Sequence, residues 1–196
     1  MRRIALTVAL LFAATNVAFA WGHSIIAEIA QSRLTPLTLQ RVADLPGSGS
    51  SLAPIASWAD DERARDKTTT RWHLVDIPRI APGYDPARDC VLDASDSDCI
   101  IAAINRQLSI VACPSLPLEP RQRALEFLVH FVGDLHQPLH AIGEEGRLVP
   151  ANGLLDDDYR RENLPVLDTL LSRAGLRLAK TLNDAFAKGD CSAEQA

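Results

Sequence analysis

The sequence has no excess of positive charge. Its 196 residues include 20 Lys and Arg against 25 Asp and Glu, which gives a formal net charge of −5 at pH 7. A chain with this balance has no general basic surface, so any contact with nucleic acid cannot depend on bulk electrostatic attraction. Divalent cations clustered in one cleft would supply positive charge locally, even within an acidic protein.

Long apolar runs are also scarce. The run from Ile4 to Phe19 is too short for a comfortable membrane span. Two arginines precede it and a small-x-small pattern ends it at Ala20, which is typical of a signal peptide. We therefore expect residues 1–20 to be a signal peptide and the mature chain to begin at Trp21, in the periplasm or outside the cell. A short membrane anchor is the alternative; otherwise we expect no membrane partner.

Strand signals are almost absent, and no internal repeat is visible. Apolar residues recur at helical spacing in five segments, and Pro138 ends the fourth of these helices because proline lacks the amide proton. The predicted helices cover residues 23–34, 55–65, 99–111, 121–136 and 164–186. We predict that the segment RWHLVDIPR, residues 71–79, is extended or a loop. The predicted fold is an all-α, multi-helix single domain over residues 21–196.

The four cysteines favour disulfides, since an exported chain meets an oxidising environment. Cys90 and Cys99 are the expected first pair, because they flank a short acidic loop before an apolar helix. Cys113 and Cys191 then remain and could pair by elimination. Four cysteines allow three connectivities, so the pattern leaves the alternatives open.

The strongest local motif is HFVGDLHQPLHA, residues 130–141. His130 and Asp134 are four residues apart on one predicted helix, so their side chains share a face and can bind one metal ion. His140 lies beyond Pro138, where the chain has turned, and can approach from another direction. The alternative is a buried helix face with a capping histidine. Three histidines and one aspartate in so short a segment favour the metal site.

Four further segments repeat the pattern of a known family, in order. They are WGHSIIAEIAQSRLTP, ASWADDER, WHLVDIP and, near the end of the chain, LSRAGLRLAKTLN. Together with the histidine motif, they resemble the S1/P1 nuclease family over nearly the whole mature chain. The resemblance implies a helical fold like that of zinc phospholipase C, dependence on zinc, and cleavage of single-stranded DNA and RNA.

The resemblance also implies roles for individual residues. The ligands of one zinc ion would be Asp60, His73, His130 and Asp134. A second ion would take the amino group and carbonyl of Trp21 together with His23 and the shared Asp134, and His140 would belong to a third. Asp60 would orient the attacking water and Arg63 would help to hold the scissile phosphate. Spacing alone predicts almost equally well that Arg63 is only an i,i+3 ion-pair partner of Asp60.

The sequence departs from the family at two places. Trp21, Gly22 and His23 are consecutive, whereas the family normally has three more residues before the histidine. No histidine follows His140, and from about Gly153 the chain already resembles the family's C-terminal region. The chain therefore looks internally shortened after about residue 141. We expect two or fewer complete zinc sites.

Two smaller expectations follow from the shortening. The aspartates after the gap, Asp156 to Asp158 and Asp168, are expected to be solvated and not to complete a zinc site. His136 has no metal assigned and is expected to support the site or the core.

Three hypotheses about function follow. The first is a secreted or periplasmic, monomeric, zinc-dependent endonuclease that acts on single-stranded nucleic acid. The second is a non-catalytic remnant that still binds zinc. The third is a phospholipase C-like hydrolase, because one fold can serve several substrates.

Overall fold

The computed structural model describes residues 21–45, 51–91, 98–141, 156–189 and 191. The expected signal peptide, residues 1–20, lies outside these ranges, as do residues 142–155. In the described ranges the α-helices are α1 (21–31), α2 (Pro36–Ala43), α3 (Trp58–Arg65), α4 (Pro86–Asp89), α5 (Ile100–Ala112), α6 (Leu118–Asp134) and α7 (Asp157–Lys188). Short 3-10 helices cover Ala53–Ile55, Lys67–His73 and Pro138–His140. The all-α prediction is confirmed.

Two predicted boundaries near the site are wrong. The helix predicted over residues 55–65 is split, because a 3-10 turn ends at Ile55 and α3 begins only at Trp58. The first three residues of the segment predicted to be extended, 71–73, belong to the 3-10 helix Lys67–His73. Asp66 caps that helix by accepting a hydrogen bond from the Thr68 amide. His73 is therefore the last residue of a helical turn.

Helix α7 begins two turns earlier than predicted. Asp156 caps it by accepting a hydrogen bond from the Tyr159 amide, and Asp157 and Asp158 place negative charge in its first turn, where the helix dipole favours it. These turns are exposed, so they lack the apolar periodicity from which the helix was predicted. In the part of the chain described, neither α7 nor any other helix is long and apolar enough to cross a membrane.

Helix α6 lies at the centre of the fold. Every residue from Ala124 to Asp134 is buried, and α6 contacts α3, α5 and α7. On one side, Leu125 and Leu128 belong to the larger apolar cluster, which also holds residues of α1 and α7. On the other side, Phe127 and Phe131 belong to a second cluster with residues of α5. The first part of the metal-site motif, His130 to Asp134, thus lies on the buried part of α6.

Helix α1 packs tightly against α7. A Cβ atom built on Gly175 would lie 2.5 Å from Cγ2 of Ile29, so only glycine allows the two helices to approach this closely. This contact fixes α1, which carries His23, next to the central helix.

Both disulfides considered above are present. Cys90 pairs with Cys99 and Cys113 pairs with Cys191. The first pair ties α4 to the start of α5, and the second ties the end of α5 to the chain beyond α7.

Candidate metal centre

The buried carboxylate of Asp134 is the centre of the site. Its Oδ1 lies 3.1 Å from Nε2 of His23 and 3.4 Å from Nδ1 of His140. Its Oδ2 lies 2.9 Å from Nδ1 of His73 and 3.1 Å from Nε2 of His130. Each carboxylate oxygen therefore faces a different pair of imidazoles. Four histidines, at positions 23, 73, 130 and 140, converge on one aspartate.

His130 is oriented from behind by the backbone. Its Nδ1 donates a hydrogen bond to the carbonyl oxygen of Ala56 at 2.8 Å, so Nε2 is the nitrogen that faces Asp134, and it lies 3.1 Å from Oδ2 of that residue. Nε2 of His73 is buried and makes no hydrogen bond in the structure. A buried polar atom without a partner is costly, so this nitrogen favours a further ligand.

The donor atoms form two groups that could hold a metal ion. His23, His130 and Asp134 form one, and Asp60, His73 and His130 form the other, with donor atoms within 4.8 Å of one another in each group. Imidazole nitrogens with carboxylate oxygens are a donor set that suits zinc. The residues present fit the ion that the resemblance implies, and His130 lies where the two groups meet.

The electrostatics of the cluster favour a bound cation. Burial would raise the pKa of Asp134, but the imidazoles of His130, His23 and His73 outweigh it and hold that pKa well below its usual value. Burial lowers the pKa of His73 in spite of the neighbouring Asp134, which favours the neutral form that a metal requires. Asp134 is therefore a carboxylate and His73 a neutral imidazole near neutral pH.

His23 owes its position to a glycine. Its ring stacks on that of His130, with centroids 4.0 Å apart and planes 2° from parallel. A Cβ atom built on Gly133 would lie 2.6 Å from Cδ2 of His23, so any side chain there would displace the imidazole. Sequence reasoning missed the role of Gly133, because a glycine within a helix shows its purpose only when the facing residue is known.

Asp60 and Arg63 lie at the rim of the site. Nη2 of Arg63 donates to Oδ1 of Asp60 at 2.9 Å, and both side chains remain partly exposed. The ion pair considered from spacing is thus present, and both residues also line a cavity of about 400 Å³. An arginine bound to one carboxylate still has free N–H donors for an anion in that cavity.

The cavity has a polar side and an apolar side. His23, Asp134 and His140 line it together with Asp60 and Arg63, whereas Trp21 and three leucines of α7 form the apolar side: Leu167, Leu170 and Leu171. Their periodicity predicted the helix but not the cavity.

The two remaining predicted ligands, His140 and Trp21, lie near the site but belong to neither group of three donor residues. Nδ1 of His140 donates to the carbonyl oxygen of His73 at 2.9 Å, and within the described residues no third donor joins His140 and Asp134. Trp21 lines the cavity, but its nitrogen is part of a peptide bond in the unprocessed chain. Its role as a ligand stays a prediction, because it requires cleavage after Ala20.

His136 is not part of the metal cluster. Its Nδ1 donates to the carbonyl oxygen of Val132 at 2.7 Å, and its Nε2 accepts from Nη1 of Arg177 at 2.7 Å. Burial and the neighbouring Arg177 lower its pKa. His136 also lines the cavity, and Arg177 is a contact that the sequence did not predict.

Known proteins match most of this chain. The profile described as S1/P1 Nuclease matches residues 19–148. Nuclease P1 of Penicillium citrinum is 39% identical over 128 residues, which is 62% of this chain and 46% of that protein. Endonuclease 4 of Arabidopsis thaliana is 31% identical over 179 residues, which is 83% of this chain and 58% of that protein. Nuclease S1 of Aspergillus oryzae is 33% identical over 138 residues, which is 65% of this chain and 46% of that protein.

The chain spans about half the length of the curated relatives it matches. The matched region contains every predicted ligand, from Trp21 to His140, and the buried cluster that those ligands form. On this evidence, the chain belongs to the S1/P1 nuclease family.

Proposed function

We propose that the chain is a zinc-dependent phosphodiesterase that hydrolyses single-stranded DNA and RNA. The observation that carries the proposal is the group formed by Asp60, His73 and His130 beside the buried carboxylate of Asp134, at the edge of a cavity. Membership of the nuclease family and the names of the relatives support the same activity.

The proposed ligand sets are those that the family resemblance implies, and the geometry of the cluster supports them. One zinc would be held by Asp60, His73 and His130 with Oδ2 of Asp134, the oxygen that faces both of these histidines. Because one imidazole nitrogen binds one ion, we assign His130 to this set alone. Oδ1 of Asp134 would then serve a second zinc.

The second zinc would be held by His23 and Oδ1 of Asp134, with the amino group and carbonyl of the processed Trp21. Two ions would thus share one aspartate. His140 would contribute to a third ion only if further donors reached it, so we propose two sites for this chain.

The residues at the cavity would act on a phosphodiester as follows. Zinc, when bound, lowers the pKa of water and neutralises charge on the phosphoryl oxygens. Asp60, which is partly exposed at the rim, accepts a hydrogen bond from the attacking water and orients it. Arg63 donates to the phosphate oxygens as charge develops there. The hydrogen bond from His130 to Ala56 keeps its imidazole fixed throughout.

Substitution of Asp60 tests this proposal. We expect Asp60→Asn to reduce cleavage of single-stranded DNA by at least about a hundredfold, because it removes a ligand and the group that orients water. Asp61→Asn is the matched control, since Asp61 is the next residue on α3, is exposed and does not line the cavity. Equal cleavage by both variants would contradict the assignment.

One observation favours a second candidate, a zinc-binding protein without catalysis. In the described residues His140 belongs to no group of three donor residues that could hold a metal ion. In that case the wild-type protein would bind zinc and cleave no diester. The phospholipase C-like alternative would show itself as hydrolysis of a chromogenic phosphocholine ester without nuclease activity.

We also propose that the protein acts as a monomer in the periplasm or outside the cell. The two disulfides fit an oxidising compartment. Size-exclusion chromatography and fractionation of the native host would test both statements.

A further inference from the structure

An arginine is held beside the cavity by a neutral partner. Nη1 of Arg177 lies 2.7 Å from Nε2 of His136, and His136 lines the cavity next to Asp134. Arginine can only donate, so this nitrogen of His136 must be the acceptor. Its Nδ1 donates to the carbonyl of Val132, so the imidazole carries one proton and no charge. The contact joins the end of α6 to α7 and fixes the guanidinium without neutralising it.

Arg177 differs in this respect from most arginines of the described ranges. Those that bind a carboxylate in the described ranges are Arg63, Arg65, Arg71, Arg88, Arg106, Arg123, Arg160 and Arg161. Neither Arg177 nor Arg173 makes such a pair within the residues that the structure describes, and both are exposed. In a chain with a net charge of −5, two exposed arginines without a carboxylate partner among the described residues give this surface a local positive charge.

The two arginines continue the cavity wall along α7. Leu170 lines the cavity, and Arg173 and Arg177 follow it three and seven residues later, so the three side chains lie on one face of the helix. The stretch from Leu170 to Arg177 covers about 10 Å at the helical rise per residue. A charged strip therefore leads away from the apolar end of the cavity.

We propose that Arg177, fixed by His136, and Arg173 bind a phosphate of the nucleotide next to the one being cleaved. This inference rests on the proposed function and specifies its substrate. The site would bind a single-stranded polynucleotide better than a dinucleotide, which has only the scissile phosphate. Lack of a general basic surface makes these two contacts a large part of the electrostatic attraction.

Kinetics on two substrates test this directly. Arg177→Gln keeps a donor that can reach His136 but removes the charge. We expect the KM for a long oligothymidylate to rise about fivefold, as for the loss of one exposed charge pair, while kcat/KM for the dinucleotide stays unchanged. Arg173→Gln should also raise the KM for the long oligothymidylate, and the double variant should raise it further. Arg161→Gln is the matched control, since Arg161 lies on the same helix, is exposed and is bound to Asp158.

Binding provides a readout that does not require catalysis. Anisotropy of a labelled phosphorothioate oligothymidylate, measured against salt, should show a slope of log affinity that is shallower by about 0.7 in Arg177→Gln, the value for one lost contact to a single strand. His136→Ala should weaken binding in the wild type but much less in the Arg177→Gln background, because the histidine acts through the arginine.

The outcomes separate the two proposals. If neither substrate is cleaved but the salt slope falls only in the Arg177 and Arg173 variants, the proposed function fails and the phosphate contact stands. If the wild type cleaves both substrates and Arg177→Gln matches Arg161→Gln in KM and in slope, the phosphate contact is refuted. Failure of the wild type to bind the oligonucleotide would also refute it.

Discussion

At the scale of single residues, the site depends on close approach as much as on ligands. Gly133 lets the His23 ring lie flat against α6, where it reaches Oδ1 of Asp134. Gly175 makes an equally tight contact with Ile29, away from the metal cluster. Substitution of each glycine in turn therefore distinguishes the effect of helix packing on stability from the effect of the His23 position on metal binding.

We expect Gly133→Ala and Gly175→Ala to destabilise the fold by similar amounts, on the order of 1–3 kcal/mol, because each added methyl group overlaps a neighbour. Only Gly133→Ala should also lose one zinc ion, since it displaces His23. Zinc content after dialysis, combined with thermal unfolding of both variants, checks this. If Gly133→Ala retained the full zinc content, the role of the glycine in placing His23 would be rejected.

Glu126 gives a pH-dependent prediction at the same scale. It is 5% exposed on α6, and burial raises its pKa although Gln122 donates a hydrogen bond to it. A carboxyl group with a raised pKa in the folded state stabilises below its unfolded pKa and loses that contribution as pH rises through the folded value. Glu126→Gln should therefore gain stability relative to the wild type as pH rises from about 4 to 7. Denaturant unfolding at several pH values tests it, and a constant difference would contradict it.

Candidate ligands could be named from the sequence, but their contacts with distant residues could not. The spacing of His130 and Asp134 on one helix was sufficient to suggest a shared metal. The hydrogen bond from His130 to Ala56 and the contact between His136 and Arg177 join residues far apart in the chain. No local pattern encodes such contacts, because they arise only when α6 packs against its neighbours.

At the scale of elements, two disulfides hold the ends of α5 in place. Cys90–Cys99 closes a loop with a sequence separation of 9, and Cys113–Cys191 closes one of 78. Closing a longer loop removes more entropy from the unfolded chain. The second bond also attaches the chain beyond α7 to the end of α5, and α7 forms the apolar wall of the cavity.

Removal of the disulfides should therefore have unequal effects. We expect replacement of Cys113 and Cys191 by alanine to cost about 4.5 kcal/mol and replacement of Cys90 and Cys99 about 3 kcal/mol. Chemical denaturation of the two double variants measures the difference. A larger loss for the Cys90 and Cys99 variant would show that native contacts, and not loop length, determine the effect.

Element types were easier to predict than element boundaries. The apolar period located α5, α6 and the second half of α7, because those turns face the core. The first turns of α7 are exposed and are held by the cap at Asp156, and the 3-10 helix before His73 depends on the cap at Asp66. Caps and exposed turns leave only short polar signals in a sequence, so these boundaries were missed.

At the scale of the whole molecule, the acidic chain concentrates its functional groups at one cavity. The buried Asp134 and its histidines lie on the polar side, and the leucines of α7 lie opposite. A cluster of this kind binds metal only when the chain is folded, so metal binding is linked to stability.

Zinc should stabilise the folded protein. At a zinc concentration a hundredfold above its dissociation constant, one site adds about 2.7 kcal/mol, which should raise the Tm by roughly 5 to 10 °C over the protein treated with a chelator. Asp134→Asn should abolish this rise, because Asp134 serves both proposed sites. Scanning calorimetry with and without zinc provides the comparison, and an undiminished shift in the variant would place the metal elsewhere.

The most direct test of the account is a zinc titration of the metal-free chain beginning at Trp21, with bound zinc and cleavage of single-stranded DNA followed on the same sample. The account predicts that cleavage appears as zinc binds and reaches its plateau when both proposed sites are filled. A chain that fills its zinc sites and cleaves no single-stranded DNA at any zinc concentration would contradict it and would identify the protein as a zinc-binding relative without catalysis.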